Sequence, residues 1–170
     1  MCNLMSELVQ KSTIMKTIFH PSVKTLLVSV IAFLAISSCQ VTGQGVKFYP
    51  NENKAYPFSA AVKAGDLVYI SGTLGTDKDG KLDPDFKKQS VQVMENIRDR
   101  ITKLGYTMKD IVKCTVMIKD MAKWSQFNEV YRTYFEADRF PARSAMGVSG
   151  LAMGADIEVE VILYVGVPGN

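Results

Sequence analysis

After residue 46 the apolar positions follow two rhythms, one of strands and one of helices. Ser59 to Lys63 and Leu67 to Ser71 flank Ala64-Gly65-Asp66, which predicts a hairpin with Gly65 in its tight turn. Asp83-Pro84 predicts a helix start, with the aspartate as cap and the proline at the first helical position. Met94, Ile97, Ile101 and Leu104 then recur at helical spacing until Gly105 closes the element. Ile111 to Ile118 reads as an inner strand, with Val112, Cys114, Val116 and Ile118 on one face. Asp120 caps a second predicted helix, whose Trp124, Phe127, Tyr131, Tyr134 and Phe135 form an aromatic stripe expected in the core.

The closing strand alternates most plainly. Ile157, Val159, Val161, Leu163 and Val165 share one face, and Asp156, Glu158, Glu160, Ile162 and Tyr164 share the other. The first is a core face. The second mixes carboxylates with large apolar groups, which suggests an outer face partly covered by another subunit. Asp77-Lys78-Asp79-Gly80 resembles a calcium loop in composition, but Leu82 and Lys88 stand where such a loop needs glycine and glutamate. It reads as a turn. With no repeat, low-complexity segment or long linker in residues 46–170, the expectation is a single α+β domain.

The chain of 170 residues is 47% apolar and 22% charged, enough for one ordinary core. Its first residues follow a different pattern. Lys16 and Lys24 precede an apolar run from Leu26 to Ile36, and Ser37-Ser38-Cys39 follows at once. This basic, apolar, then small-residue order is that of an export signal. Its apolar run would extend about 17 Å as a helix, well short of the ~30 Å hydrocarbon slab. Ile36-Ser37-Ser38-Cys39 resembles a bacterial lipobox. The expected organisation is therefore a signal over residues 1–38, lipidation at Cys39, a tether over 39–45 and the domain over 46–170. Met15 is an alternative start. The implied location is the bacterial cell envelope, exported and lipid-anchored on the periplasmic side, with the membrane as a partner.

Charge and rare residues narrow the chemistry. Removing Lys11, Lys16, Lys24 and Glu7 with the leader takes 20 basic and 17 acidic residues to 17 and 16, a net charge of +1. No clustered basic face for nucleic acid is evident. Of the three cysteines only Cys114 lies within the domain, so no disulfide framework forms in one mature chain, and Cys114 reads as a small packed hydrophobe. The one histidine, His20, lies in the leader, which removes histidine triads and histidine metal sites. No metal ligand set is expected.

Pro141-Ala142-Arg143-Ser144, followed by Gly150-Leu151 and Ile157-Glu158-Val159-Glu160, resembles the signature of the reactive intermediate deaminase family, also called YjgF or endoribonuclease L-PSP. The likeness extends over roughly residues 46–166, through Ala64 to Gly72 and Asp110 to Val116. It implies a chorismate-mutase-like (YjgF-like) domain, a mixed sheet packed by two helices, assembled as a homotrimer with ligand clefts between subunits. It also implies that Arg143 holds a substrate carboxylate and that Glu158, 15 positions later, helps activate water. Asn128 lines or braces the cleft, or is an exposed helix residue. Ser71 offers a hydroxyl or backbone contact, or is a turn serine. Departures fall on the pocket wall: Tyr56-Pro57-Phe58 replaces Gly-Pro-Tyr, Ser71-Gly72-Thr73 replaces Ser-Gly-Gln, and Ala145 replaces a cysteine. Phe58 would widen tolerance for apolar side chains.

Three functions compete. The first is an enamine/imine deaminase that hydrolyses small 2-imino acids of the 2-aminoacrylate type to 2-keto acids and ammonia, with no cofactor. A guanidinium grips a carboxylate through two parallel charge-assisted hydrogen bonds, and a carboxyl group of tuned pKa moves the protons. The second is a non-catalytic trimeric module that binds small carboxylates or acts as a chaperone. The third, an endoribonuclease, has little support from a net charge of +1 and a domain without histidine.

Overall fold

The computed structural model describes residues 45–166. Its strands are β1 (Lys47–Pro50), β2 (Ser59–Ala64), β3 (Leu67–Leu74), β4 (Ile111–Ile118), β5 (Ala142–Gly147) and β6 (Ile157–Tyr164). Helix α1 (Phe86–Lys103) links β3 to β4, and α2 (Trp124–Arg132) links β4 to β5. The strands form one mixed sheet in the order β1-β2-β3-β6-β4-β5, parallel only between β4 and β5. The expected α+β domain with two helices on a mixed sheet is what the chain forms.

Local chemistry accounts for most boundaries. β2 and β3 are joined by a two-residue turn in which Gly65 takes φ +59°, a conformation open chiefly to glycine. Helix α1 ends where Gly105 (φ +86°) donates to the Thr102 carbonyl and Tyr106 N–H to that of Ile101, the paired bonds of a Schellman motif. Asp77 Oδ1 accepts from the N–H groups of Asp79 and Lys81, so the acidic loop is a turn as expected. Three expectations need correction. The cap of α1 is Asp85, whose Oδ1 accepts from Lys88 N–H at 2.9 Å, while Asp83 Oδ1 accepts from Asp85 N–H; Pro84 therefore precedes the cap. Val112 is not on the inner face of β4. The register with β6 slips between Ile111 and Lys113, so Val112 bulges outward to 42% exposure and Ile111 takes the buried place. The second helix is also shorter than its stripe: Asp120 caps a 3-10 turn ahead of it, and Tyr134 and Phe135 follow its end.

Both helices lie on one face of the sheet. Val93, Met94, Ile97 and Ile101 of α1 and Phe127 of α2 are sealed against Val116, Ile118, Ile157, Val159, Val161 and Leu163. Each aliphatic side chain buried in this way stabilises by roughly 1.5–3 kcal/mol. The opposite face has no layer on it among the described residues. There Phe48, Val62, Tyr69, Ile162 and Lys113 stand in one row across β1, β2, β3, β6 and β4, with Phe48 and Tyr69 exposed.

Candidate functional site

Glu158 and Arg143 sit on the two strands that flank β4, yet they point to opposite faces. Glu158 is in register with Met117 and Arg143 with Cys114. Cys114 faces the helices, and Met117, an odd number of residues later, faces away from them. Within one chain the two residues are therefore not brought together.

Around Glu158 the bare face forms a first cluster. The register of β3 against β6 slips between Ile70 and Thr73, so Ser71 and Gly72 bulge. The Glu158 carboxyl lies directly over Gly72: a Cβ at that position would overlap Oε1 and stand 3.0 Å from Cδ. Burial, and then the charge of Glu160, raise the Glu158 pKa above the ordinary carboxylate range. Ser71 donates its hydroxyl to the Ser59 carbonyl at 2.6 Å, which joins this bulge to the residue after Phe58. Phe58 is half exposed and stacks on Tyr56 with 5.3 Å between ring centroids.

The second cluster lies on the helix side, at the outer strand β5. The Arg143 guanidinium carbon lies 4.5 Å from the ring centroids of both Trp124 and Tyr131. Such a contact fixes a cation by its faces and leaves its N–H edges for an anion. No carboxylate among the described residues pairs with Arg143. Asn128 follows Trp124 by four residues and precedes Tyr131 by three, which places it on the same stripe of α2. Beneath the guanidinium, Tyr131 donates its hydroxyl to Cys114 Sγ at 3.4 Å. Burial pushes the Cys114 thiol up to about 11, against the opposing influence of the Tyr131 hydrogen bond and of Arg143, so it is a packed thiol as expected.

Sequence reasoning named Arg143, Glu158, Asn128, Ser71 and Phe58 but treated Trp124 and Tyr131 as core alone. Their spacing of seven positions, with an asparagine between them on one stripe, was the available signal. The part played by Gly72 depends on which strand lies beside β3, and so had no local signal. Two concavities lie elsewhere. One of about 570 Å³ is lined by Asp77, Lys81, Lys87 and Lys88, and one of about 310 Å³ by Lys109, Phe135 and Arg139. Neither touches Arg143 or Glu158. No group of three or more metal-ligating side chains is found among the described residues.

The family model for endoribonuclease L-PSP matches residues 51–165. A RutC family protein of Pyrococcus horikoshii is 42% identical over 110 residues, 64% of this chain and 86% of that protein. Reactive Intermediate Deaminase A, chloroplastic, of Arabidopsis thaliana is 35% identical over 133 residues, 77% of this chain and 71% of that one. Among solved structures, RidA from an Antarctic Psychrobacter superposes with a TM-score of 0.62 at 38% identity, covering 69% of this chain and 94% of its own.

These likenesses overturn the expected exported, lipid-anchored location. Relatives whose names carry an address are chloroplastic in Arabidopsis and, for Protein MMF1 of Saccharomyces cerevisiae at 34% identity, mitochondrial. No described helix is long and apolar enough to cross a membrane. A basic and apolar leader gives a class of composition, and that alone does not name a compartment. The expected signal over residues 1–38, Cys39 and all of the expected tether except Gly45 lie outside the described residues.

Proposed function

The chain belongs to the endoribonuclease L-PSP family, and from that premise we propose that it is an enamine/imine deaminase acting on small 2-imino acids, assembled as a homotrimer. The observation that carries this reading is the pair of clusters: an unpaired guanidinium held between two rings, and a carboxyl of raised pKa seated over Gly72. They suit the two ends of a 2-imino acid. Since one chain holds them on opposite faces, the proposed site takes Arg143 from one copy and Glu158 from another, which is the economy a homotrimer offers.

Arg143 binds the substrate carboxylate through its free edges, beside Asn128. Glu158, ionised, takes a proton from a water molecule whose oxygen attacks the C=N carbon. The adduct takes that proton on nitrogen to become the carbinolamine, whose hydroxyl proton then passes by way of Glu158 to the same nitrogen as the C–N bond breaks, and ammonia and the 2-keto acid leave. Water supplies the new C=O oxygen and no electron changes hands. A carboxyl whose pKa is raised above its ordinary value by burial is better suited to give that proton back than an ordinary carboxylate.

The test uses the full-length chain with imino acids generated in situ by an amino-acid oxidase. Wild type is expected to accelerate keto-acid release, and Arg143→Ala and Glu158→Ala to lose the acceleration. Turnover that survives Arg143→Ala overturns the reading. A second reading, a non-catalytic carboxylate-binding module, draws support from Phe58 and Ala145, which differ from the family pattern and spare the guanidinium; Thr73, expected on the wall, is instead buried on the helix side. Trp124 is the only tryptophan of the chain and lies against Arg143. Quenching of its fluorescence by 2-ketobutyrate, without turnover of any imine, would favour that module.

A further inference from the structure

Three polar side chains of α1 are spent on one short stretch of the sheet. Asn96 Nδ2 donates to the carbonyls of Leu74 at 2.9 Å and Thr76 at 2.8 Å. Gln89 Oε1 accepts from Asp156 N–H at 3.1 Å, two residues before Glu158. Arg100 Nη1 donates to Thr73 Oγ1 at 3.1 Å and to the Ser71 carbonyl at 3.4 Å. Thr73, itself buried, donates its hydroxyl to that same carbonyl at 3.0 Å. The register slip leaves Ser71 and Gly72 without regular ladder partners, so the Arg100 and Thr73 bonds grip the bulge from the helix side while the Ser71 hydroxyl ties it to Ser59 from β2, and the Asn96 and Gln89 bonds hold the neighbouring backbone.

Arg100 is the unexpected member. Burial lowers its pKa, offset in part by Glu52, and no carboxylate among the described residues forms a salt bridge with it. Withdrawing a guanidinium from water without a paired anion is unfavourable, and a methionine would hold α1 to the sheet as well. What methionine cannot do is fix the Ser71 carbonyl and the Thr73 hydroxyl. The backbone so fixed runs through Gly72, on which the Glu158 carboxyl rests.

We propose that Arg100 is a positioning residue for Glu158, acting through the Ser71-Gly72-Thr73 bulge; the role it serves rests on the deaminase reading above. Arg100 lies on the helix side and Glu158 on the bare side, so the influence passes through backbone geometry. If Arg100 goes, the bulge relaxes, the carboxyl leaves its seat and meets more water.

The charged group acting on Glu158 is Glu160, on its own strand; Met117 faces it from β4 and Gly72 from β3. This makes the sign of the response diagnostic. Loss of the seat lowers the Glu158 pKa toward the ordinary carboxylate value, whereas loss of a positive charge felt directly through the sheet raises it.

The experiment is a carboxyl carbon NMR titration of the full-length chain carrying labelled glutamate, with Glu158→Gln identifying the signal. Arg100→Met and the near-isosteric Thr73→Val should both move the Glu158 titration to lower pH, and Arg100→Lys should restore it. On imine substrate, Arg100→Met should lower kcat by up to about 100-fold, the scale of a roughly 1 Å misplacement, with KM nearly unchanged. A Glu158 titration that stays put or rises in folded Arg100→Met overturns the proposal. If that variant does not fold, Thr73→Val decides by the same criterion. Absence of imine turnover in wild type would sink the deaminase reading alone, because the titration reports on Arg100 without any substrate.

Discussion

At the scale of single residues, Gly72 and Glu158 form a unit that neither makes alone. Glycine at position 72 lets the carboxyl lie on the backbone, out of part of its water, and that partial burial raises its pKa. Gly72→Ala should push the carboxyl away and lower imine hydrolysis by about 10²-fold, while 2-ketobutyrate still quenches Trp124; loss of both responses together would contradict the separation of the two clusters. The same pKa makes a claim about stability. Folded Glu158 holds its proton more tightly than unfolded Glu158, so its stabilising contribution is full below the ordinary carboxylate range and is lost as pH rises through the folded pKa. Glu158→Gln should therefore have a higher Tm than wild type at neutral pH, and the difference should vanish as pH falls below the ordinary carboxylate range. A Tm difference that does not depend on pH would show that desolvation of the carboxylate is not its source.

At the scale of elements, what could be read from the sequence was what local chemistry decides. The hairpin at Gly65, the stop of α1 at Gly105 and the inward face of β6 depend on residues within a few positions of one another. The face of Val112 could not be read, because its bulge is a matter of how β4 registers with β6, some fifty positions away. Asp83 and Asp85 both flank Pro84 as competent caps, and the choice falls to Asp85 because the Asp83 carboxylate already accepts from Asp85 N–H. Asp85→Ala should cost about 1 kcal/mol, and Gly105→Ala, forced into the left-handed region, about 1–2 kcal/mol. Urea unfolding monitored by circular dichroism measures both. Equal stability of Asp85→Ala and wild type would return the cap to Asp83.

At the scale of the whole molecule, the family resemblance singled out Arg143 and Glu158 as the proposed pair, and their spacing in the sequence hid their geometry. Fifteen positions separate them, but the chain returns to the sheet on the far side of β4 and on the other face. A proposed catalytic pair split in this way gives the proposed homotrimer a specific signature. In a ring of identical copies joined head to tail, each site takes its arginine from one neighbour and its glutamate from the next. Arg143→Ala chains keep Glu158, and Glu158→Ala chains keep Arg143, so each variant alone is inactive at every site. Mixed in equal amounts, unfolded and refolded together, they should regain activity at about a quarter of the sites, the fraction in which an intact arginine meets an intact glutamate. Mixing the two after separate folding should restore nothing until subunits exchange, so the time course of recovery also reports on subunit exchange. If refolded mixtures stay inactive while refolded wild type recovers, the two residues do not meet across copies, and since one chain holds them on opposite faces, the joint role of Arg143 and Glu158 falls with that result.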